Sequence, residues 1–182
     1  MGSYTYTAEE AKKLLIEGNQ RYVASKTASL DASEKVLKAS RESQKPYAVI
    51  ISCSDSRVIP EAIFSAGIGD LFVIRVAGGV INTFQLGSIE YAAEHLGTAL
   101  VVVLGHDNCG AVSAALHHHN EGYVKHITDE ILKAVGDEKD EAKACRLNVK
   151  HSCRVIEDGL KGYGLTVVGA VYHLESGMVE FI

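Results

Sequence analysis

Tryptophan is absent from the 182 residues, and there are only two prolines. No apolar run approaches the ~20 residues that a membrane-spanning helix needs, so neither a helical span nor a membrane partner is expected. The amino end is polar, with Glu9, Glu10, Lys12 and Lys13 where a secretory leader would be apolar, and the expected location is therefore cytoplasmic. Without an oxidising compartment, the four cysteines (Cys53, Cys109, Cys145, Cys153) are not expected to form disulfides. Positive charge is also scarce. The formal net charge is −5 and no basic stripe is interleaved with aromatics, which argues against nucleic acid as a partner. No G-x-G-x-x-G follows the first candidate strand, which sets aside a dinucleotide-binding enzyme.

What is present is an ordinary globular composition, 47% hydrophobic and 23% charged, at a length that suits one domain over residues 1–182. Two continuous, β-branched hydrophobic runs stand out. Lys45–Ser52 leads into Cys53, and Ala99–Gly105 leads into His106. Unbroken runs of strand length predict buried parallel strands rather than half-exposed ones. In an open α/β sheet, ligands bind beyond the carboxyl ends of such strands, which is where Cys53, His106 and Cys109 fall.

The rest of the chain supports that frame. Thr7-Ala8-Glu9-Glu10 forms a capping box for an amphipathic helix to about Val23, with Ala11, Leu14, Leu15 and Tyr22 facing inward. A second helix is predicted over Asp31–Ser43, ended by Pro46, so that 1–44 forms a helical arm ahead of an α/β core at 45–182 that carries Cys53, His106 and Cys109. Pro60 opens a short helix to Ala66, and Asp70–Arg75 is a strand. Thr83–Leu96 reads as a helix closed by Gly97, and Cys109 begins another. Helical stretches follow near Val124–Val135 and Asp140–Leu160, then a strand over Leu165–Tyr172 that pairs back with Met178–Ile182. The expected fold is α/β: about four parallel strands plus an antiparallel carboxyl-terminal strand, flanked by helices.

Two thiols and one imidazole suit Zn²⁺, and three protein ligands leave a position for chemistry. Such a centre is nearly neutral and acidifies water less than a histidine-only site, so a nearby acceptor becomes useful. Asp55 stands two residues beyond Cys53. It either accepts a hydrogen bond from zinc-bound water or binds zinc itself as a fourth ligand and closes the site. Arg57 decides between these states if it grips the Asp55 carboxylate with both nitrogens. The reaction class is then attack of zinc-bound hydroxide on a small electrophile. His117-His118-His119 falls at a helix end and reads as dipole-compatible surface. Cys145 and Cys153 share a helical face and read as packing, and Gly78-Gly79 as a tight turn.

The motifs Cys53-Ser54-Asp55-Ser56-Arg57 and His106-Asp107-Asn108-Cys109-Gly110 resemble the signature of the β-class carbonic anhydrases. The resemblance continues through Gly69–Gly78, Gly87–Ala92 and Leu165–Ile182, covering nearly the whole chain. It implies one Zn²⁺ per chain on Cys53, His106 and Cys109, with Asp55 and Arg57 as the catalytic pair. It further implies a substrate amide at Gln44, pocket walls at Phe72, Ala77 and Tyr91, and a backbone donor at Gly110. The substrate would be carbon dioxide or bicarbonate. The assembly would be a homodimer or a tetramer of dimers, in which Gln44, Phe72 and Tyr91 complete a neighbour's site. The first helix, with little of its own chain to cover it, is expected to pack across that dimer.

Three departures from the family pattern bear on function. Ala77 stands where a larger aliphatic residue is common and widens the pocket, which keeps carbonyl sulfide or carbon disulfide as alternative substrates. Asp107-Asn108 adds a negative charge between two ligands. Ile50 occupies a position that carries tryptophan in bicarbonate-regulated members, which argues against bicarbonate gating. A zinc- or bicarbonate-binding homologue without turnover is the remaining alternative, opposed by the intact Gln44, Asp55 and Arg57.

Overall fold

The computed structural model describes residues 4–25 and 31–182. Its centre is a five-stranded sheet: β1 (Ala48–Ser52), β2 (Leu71–Arg75), β3 (Leu100–His106), β4 (Thr166–Tyr172) and β5 (Val179–Phe181). The spatial order is β2-β1-β3-β4-β5, parallel throughout except for the β4–β5 ribbon. This is the predicted architecture. Every residue of β1 is buried, because helices cover both faces of the sheet.

Alternate residues of the central strands serve different layers. Ala48, Ile50, Leu100, Val102 and Leu104 pack with Ala11 and Leu15 of α1 (Ala8–Ser25) and with Ile63 of α3 (Pro60–Ile63). Val49, Ile51, Val101 and Val103 pack with Ile89 and Ala92 of α4 (Thr83–His95) and with Val149 and Ile156 of α7 (Glu141–Gly159). A third cluster joins Cys53 and Cys109 to α5 (Gly110–Leu116), α6 (Val124–Val135) and Ala144 of α7, roofing the carboxyl ends of the strands. The break between α6 and α7 falls at Gly136, whose φ of 55° ends the first helix.

The first helix corrects an expectation. It does not lack cover within its own chain: Ala11 and Leu15 are fully buried against their own sheet. The apolar stripe looks thin because its lower end is held by polar and backbone contacts. Gly18 lies so close to Phe64 that a Cβ would stand 1.9 Å from its carbonyl oxygen. Buried Asn19 donates to the carbonyls of Ile63 (3.1 Å) and Gly177 (2.9 Å) and accepts from the Val179 N–H (2.9 Å). The capping box is present, with Glu10 N–H donating to Thr7 Oγ1 and Thr7 N–H donating to the Glu10 carboxylate.

Two helices are shorter than predicted. Instead of Asp31–Ser43, α2 spans Glu34–Ser40, capped by Ser33. It buries no residue, so no tertiary contact offsets the entropy of extending it. Pro60 sits in the first turn of α3 as expected, but the helix stops at Ile63 rather than Ala66, and Ser65 adopts a φ of 45°.

Candidate active site

Cys53 directly follows β1, and His106 ends the neighbouring strand β3. Cys109 is the residue before α5, so its side chain stands at the helix end where the first N–H groups are free. One sheet edge and one helix start thus bring the three side chains together. All are buried, and their donor atoms lie within 4.8 Å of one another. The His106 ring is oriented by its Nδ1, 2.8 Å from the Asp107 carbonyl. A carbonyl can only accept, so Nδ1 carries the proton and Nε2 presents its lone pair to the cluster. That Nε2 is buried with no hydrogen-bond partner, a costly arrangement for a residue without a ligand.

The sulfurs share this character. Cys53 Sγ accepts N–H groups from Asp55 (3.4 Å) and Gly78 (3.3 Å). Its pKa is lowered, chiefly by the neighbouring Cys109 thiol, against the opposing effect of burial. Cys109 moves upward, through the Cys53 sulfur beside it and through burial. Two buried sulfurs this close together are a pair that a soft divalent cation would bind by displacing thiol protons. Burial pulls the basicity of His106 down, but interaction with the Cys53 sulfur and the bond to the Asp107 carbonyl more than offset it. A buried imidazole lone pair facing two sulfurs is a donor set that fits zinc.

Asp55 borders this cluster, its Oδ2 lying 3.9 Å from His106 Nε2. Arg57 grips it twice, Nε to Oδ1 at 2.9 Å and a terminal nitrogen to Oδ2 at 2.7 Å, and the Arg57 N–H adds a third bond at 2.9 Å. These bonds hold the Asp55 carboxyl well below the usual carboxylate range, outweighing its partial burial. Arg57 also donates to the Asn108 carbonyl at 3.1 Å, tying the pair to the loop between His106 and Cys109.

Comparison with known proteins completes the picture. The profile of the carbonic anhydrase family matches residues 48–179. Carbonic anhydrase 2 of Mycobacterium tuberculosis is 39% identical, over 92% of this chain and 89% of its own. The chain belongs to the β-carbonic anhydrase family. Among solved structures, the Aspergillus fumigatus β-carbonic anhydrase shares the fold with a TM-score of 0.72 at 24% identity, covering 96% of this chain and 88% of that one. A tetrameric β-carbonic anhydrase from Sordaria macrospora gives a TM-score of 0.68 at 26% identity, covering 81% and 84%.

In this carbonic anhydrase the remaining expected site residues divide into two groups. Exposed Gly110 begins α5 beside Cys109, and Ala77 lies in the 3-10 turn Ala77–Gly79 that flanks Cys53. Gln44, Phe72 and Tyr91 are elsewhere. Gln44 precedes β1, so the length of that strand, about 17 Å, separates it from Cys53. It lines an open cleft with Tyr91, whose ring lies 6.2 Å from that of Phe72. His117, His118 and His119 are exposed beyond α5, and the described residues offer no other cluster of three metal-binding groups than Cys53, His106 and Cys109.

Sequence reasoning missed several contributors. Arg75, at the end of β2, donates to the carbonyls of Cys53 (3.1 Å) and Asp55 (2.7 Å), and so holds the backbone of the whole Cys53–Arg57 loop. Cys145 is buried, as its packing role requires, and its Sγ also donates to the His106 carbonyl at 3.0 Å. The signal for Arg75 is its place at the exposed last position of β2, level with Ser52.

Proposed function

We propose that this carbonic anhydrase catalyses the reversible hydration of carbon dioxide to bicarbonate and a proton, with one zinc ion per chain on Cys53, His106 and Cys109. The observation that carries this reading is the unpartnered His106 Nε2, buried between two sulfurs and beside an Arg57-clamped Asp55. When bound, zinc would supply the Lewis acidity that makes water a nucleophile near neutral pH.

The chain's own groups do the rest. Asp55, kept ionised by Arg57, is an acceptor with no proton to give, so it orients a nucleophile's O–H and leaves its lone pair toward carbon. Because both carboxylate oxygens are engaged by Arg57, the clamp opposes movement of Asp55 onto the metal. The Gly110 N–H, at the start of α5, offers a donor beside Cys109. Gln44 ahead of β1, Phe72 on β2 level with Val49, and Tyr91 of α4 lie away from the end of β1 that leads into Cys53, and they would complete the site of a neighbouring subunit. That arrangement calls for a homodimer or a tetramer of dimers, and it accords with the tetrameric Sordaria relative. No described helix is long and apolar enough to cross a membrane, and we place the enzyme in the cytoplasm.

Stopped-flow hydration of carbon dioxide by zinc-loaded protein, at pH 7 and near pH 8.5, tests the assignment. Fast turnover at both is expected. Activity only at the higher pH would show Asp55 closing the site. Full zinc occupancy without hydration, but with sulfide release from carbonyl sulfide or carbon disulfide, would transfer the assignment to those substrates.

A further inference from the structure

One face of α7 bonds the backbone of one candidate metal ligand, His106, and of the Ala77–Gly79 turn beside another, Cys53. Cys145, Asn148 and Ser152 follow each other at helical spacing, and each donates to a main-chain carbonyl: His106 at 3.0 Å, Gly78 at 2.7 Å and Gly79 at 3.3 Å. All three side chains are buried. Asn148 makes the shortest of these bonds, and the peptide it grips belongs to the residue whose N–H points at Cys53 Sγ, 3.3 Å away. Gly78 holds that pose with a φ of 71°, and a Cβ there would meet Ile131 at 2.9 Å and Ala111 at 3.2 Å. The residue is thus oriented from both ends, its carbonyl by α7 and its N–H toward the ligand sulfur.

We propose that Asn148 is a positioning residue for the metal centre, acting through Gly78 to aim a hydrogen-bond donor at Cys53 Sγ. Two observations favour this role over packing. The Asn148 Oδ1 is buried without a partner, so the residue carries a desolvation cost that an apolar side chain of similar size would avoid. Turning the amide over would set that oxygen against the Gly78 carbonyl, so the NH₂ orientation is fixed by the contact itself. The chain keeps an asparagine here for its donor. An N–H aimed at a metal-bound thiolate disperses part of its negative charge and restrains the sulfur's direction, both of which act on metal affinity.

The inference rests on Cys53, His106 and Cys109 holding the metal, and the experiment separates the two claims. Zinc affinity is measured by chelator competition on folded wild-type, Asn148→Ala and Ser152→Ala proteins, and each is loaded with cobalt(II) to record the sulfur-to-metal charge-transfer band. Asn148→Ala should bind zinc about tenfold or more weakly and shift the cobalt band. Ser152→Ala, which loses a bond to Gly79 rather than Gly78, should change neither. Wild-type affinity and an unmoved band in Asn148→Ala would overturn the proposal while leaving the metal site intact, as would an equal effect of Ser152→Ala. A wild-type protein that binds no zinc would overturn both claims. Asn148→Ser, whose hydroxyl is too short to reach the Gly78 carbonyl, repeats the test if Asn148→Ala does not fold.

Discussion

At the scale of single residues, the site divides into groups that hold and groups that orient. Cys53→Ser or Cys109→Ser replaces a soft sulfur with a hydroxyl that stays protonated, so metal content measured after dialysis should fall far below one equivalent. Full retention would sink the ligand assignment. Asp55→Asn preserves size but turns an ionised acceptor into a group with donors. Metal should stay, and the hydration rate should drop by about 10²–10⁴-fold, the range for a lost general acid–base partner. Arg57→Ala removes both grips on the Asp55 carboxylate. Asp55 is then expected to swing onto the metal, readable as a changed cobalt(II) spectrum and a lower rate at pH 7; an unchanged spectrum would contradict it. These residues were legible because their chemistry is written in spacing. Arg75 and Asn148 were not, because their partners are main-chain carbonyls, and nothing in a side-chain pattern marks a carbonyl that needs a donor.

At the scale of elements, the best-read parts were those with one dominant physical cause. The unbroken runs ending at Ser52 and Gly105 became buried strands because both faces of the sheet are covered, and α6 and α7 separated at Gly136. The first helix was misplaced in its packing because two of its contacts depend on an absent side chain and on an amide. Each yields a prediction. Gly18→Ala would drive a methyl group to within 1.9 Å of the Phe64 carbonyl oxygen, so α1 must lift away from α3. In an exposed helix interior the same change would help by about 1 kcal/mol; here a drop in melting temperature is expected. Asn19→Ala removes the side-chain partner of two buried carbonyls and one N–H, and should cost about 1–3 kcal/mol in urea unfolding. A neutral result at both positions would mean that α1 does not pack on its own sheet.

At the scale of the whole molecule, stability should be bounded on both sides of neutrality. Asp55, Glu10, Asp31, Glu138 and Glu180 all have folded pKa values below their ordinary ones, Asp55 through Arg57 and Glu180 through Arg146. A depressed carboxylate contributes above its unfolded pKa, near 4, and that contribution is lost as pH falls through the folded value. On the alkaline side, burial pushes Cys145 up to about 11 and Cys153 up to about 12. Their contribution is complete below an unfolded thiol pKa near 8.5 and disappears as pH rises toward those values. From these groups the urea midpoint should fall as pH drops below about 4 and fall again as pH rises above about 8.5, whereas a midpoint that keeps rising past either limit would contradict the assignment. The order β2-β1-β3-β4-β5 has a last consequence, in time rather than in energy. During synthesis at about 5–20 residues per second, Cys53 leaves the ribosome several seconds before Cys109, and Asn148 follows later still. No fragment that ends before Cys109 can assemble the trio, so the metal is acquired late in synthesis, and until then Cys53 is a thiol without its partners.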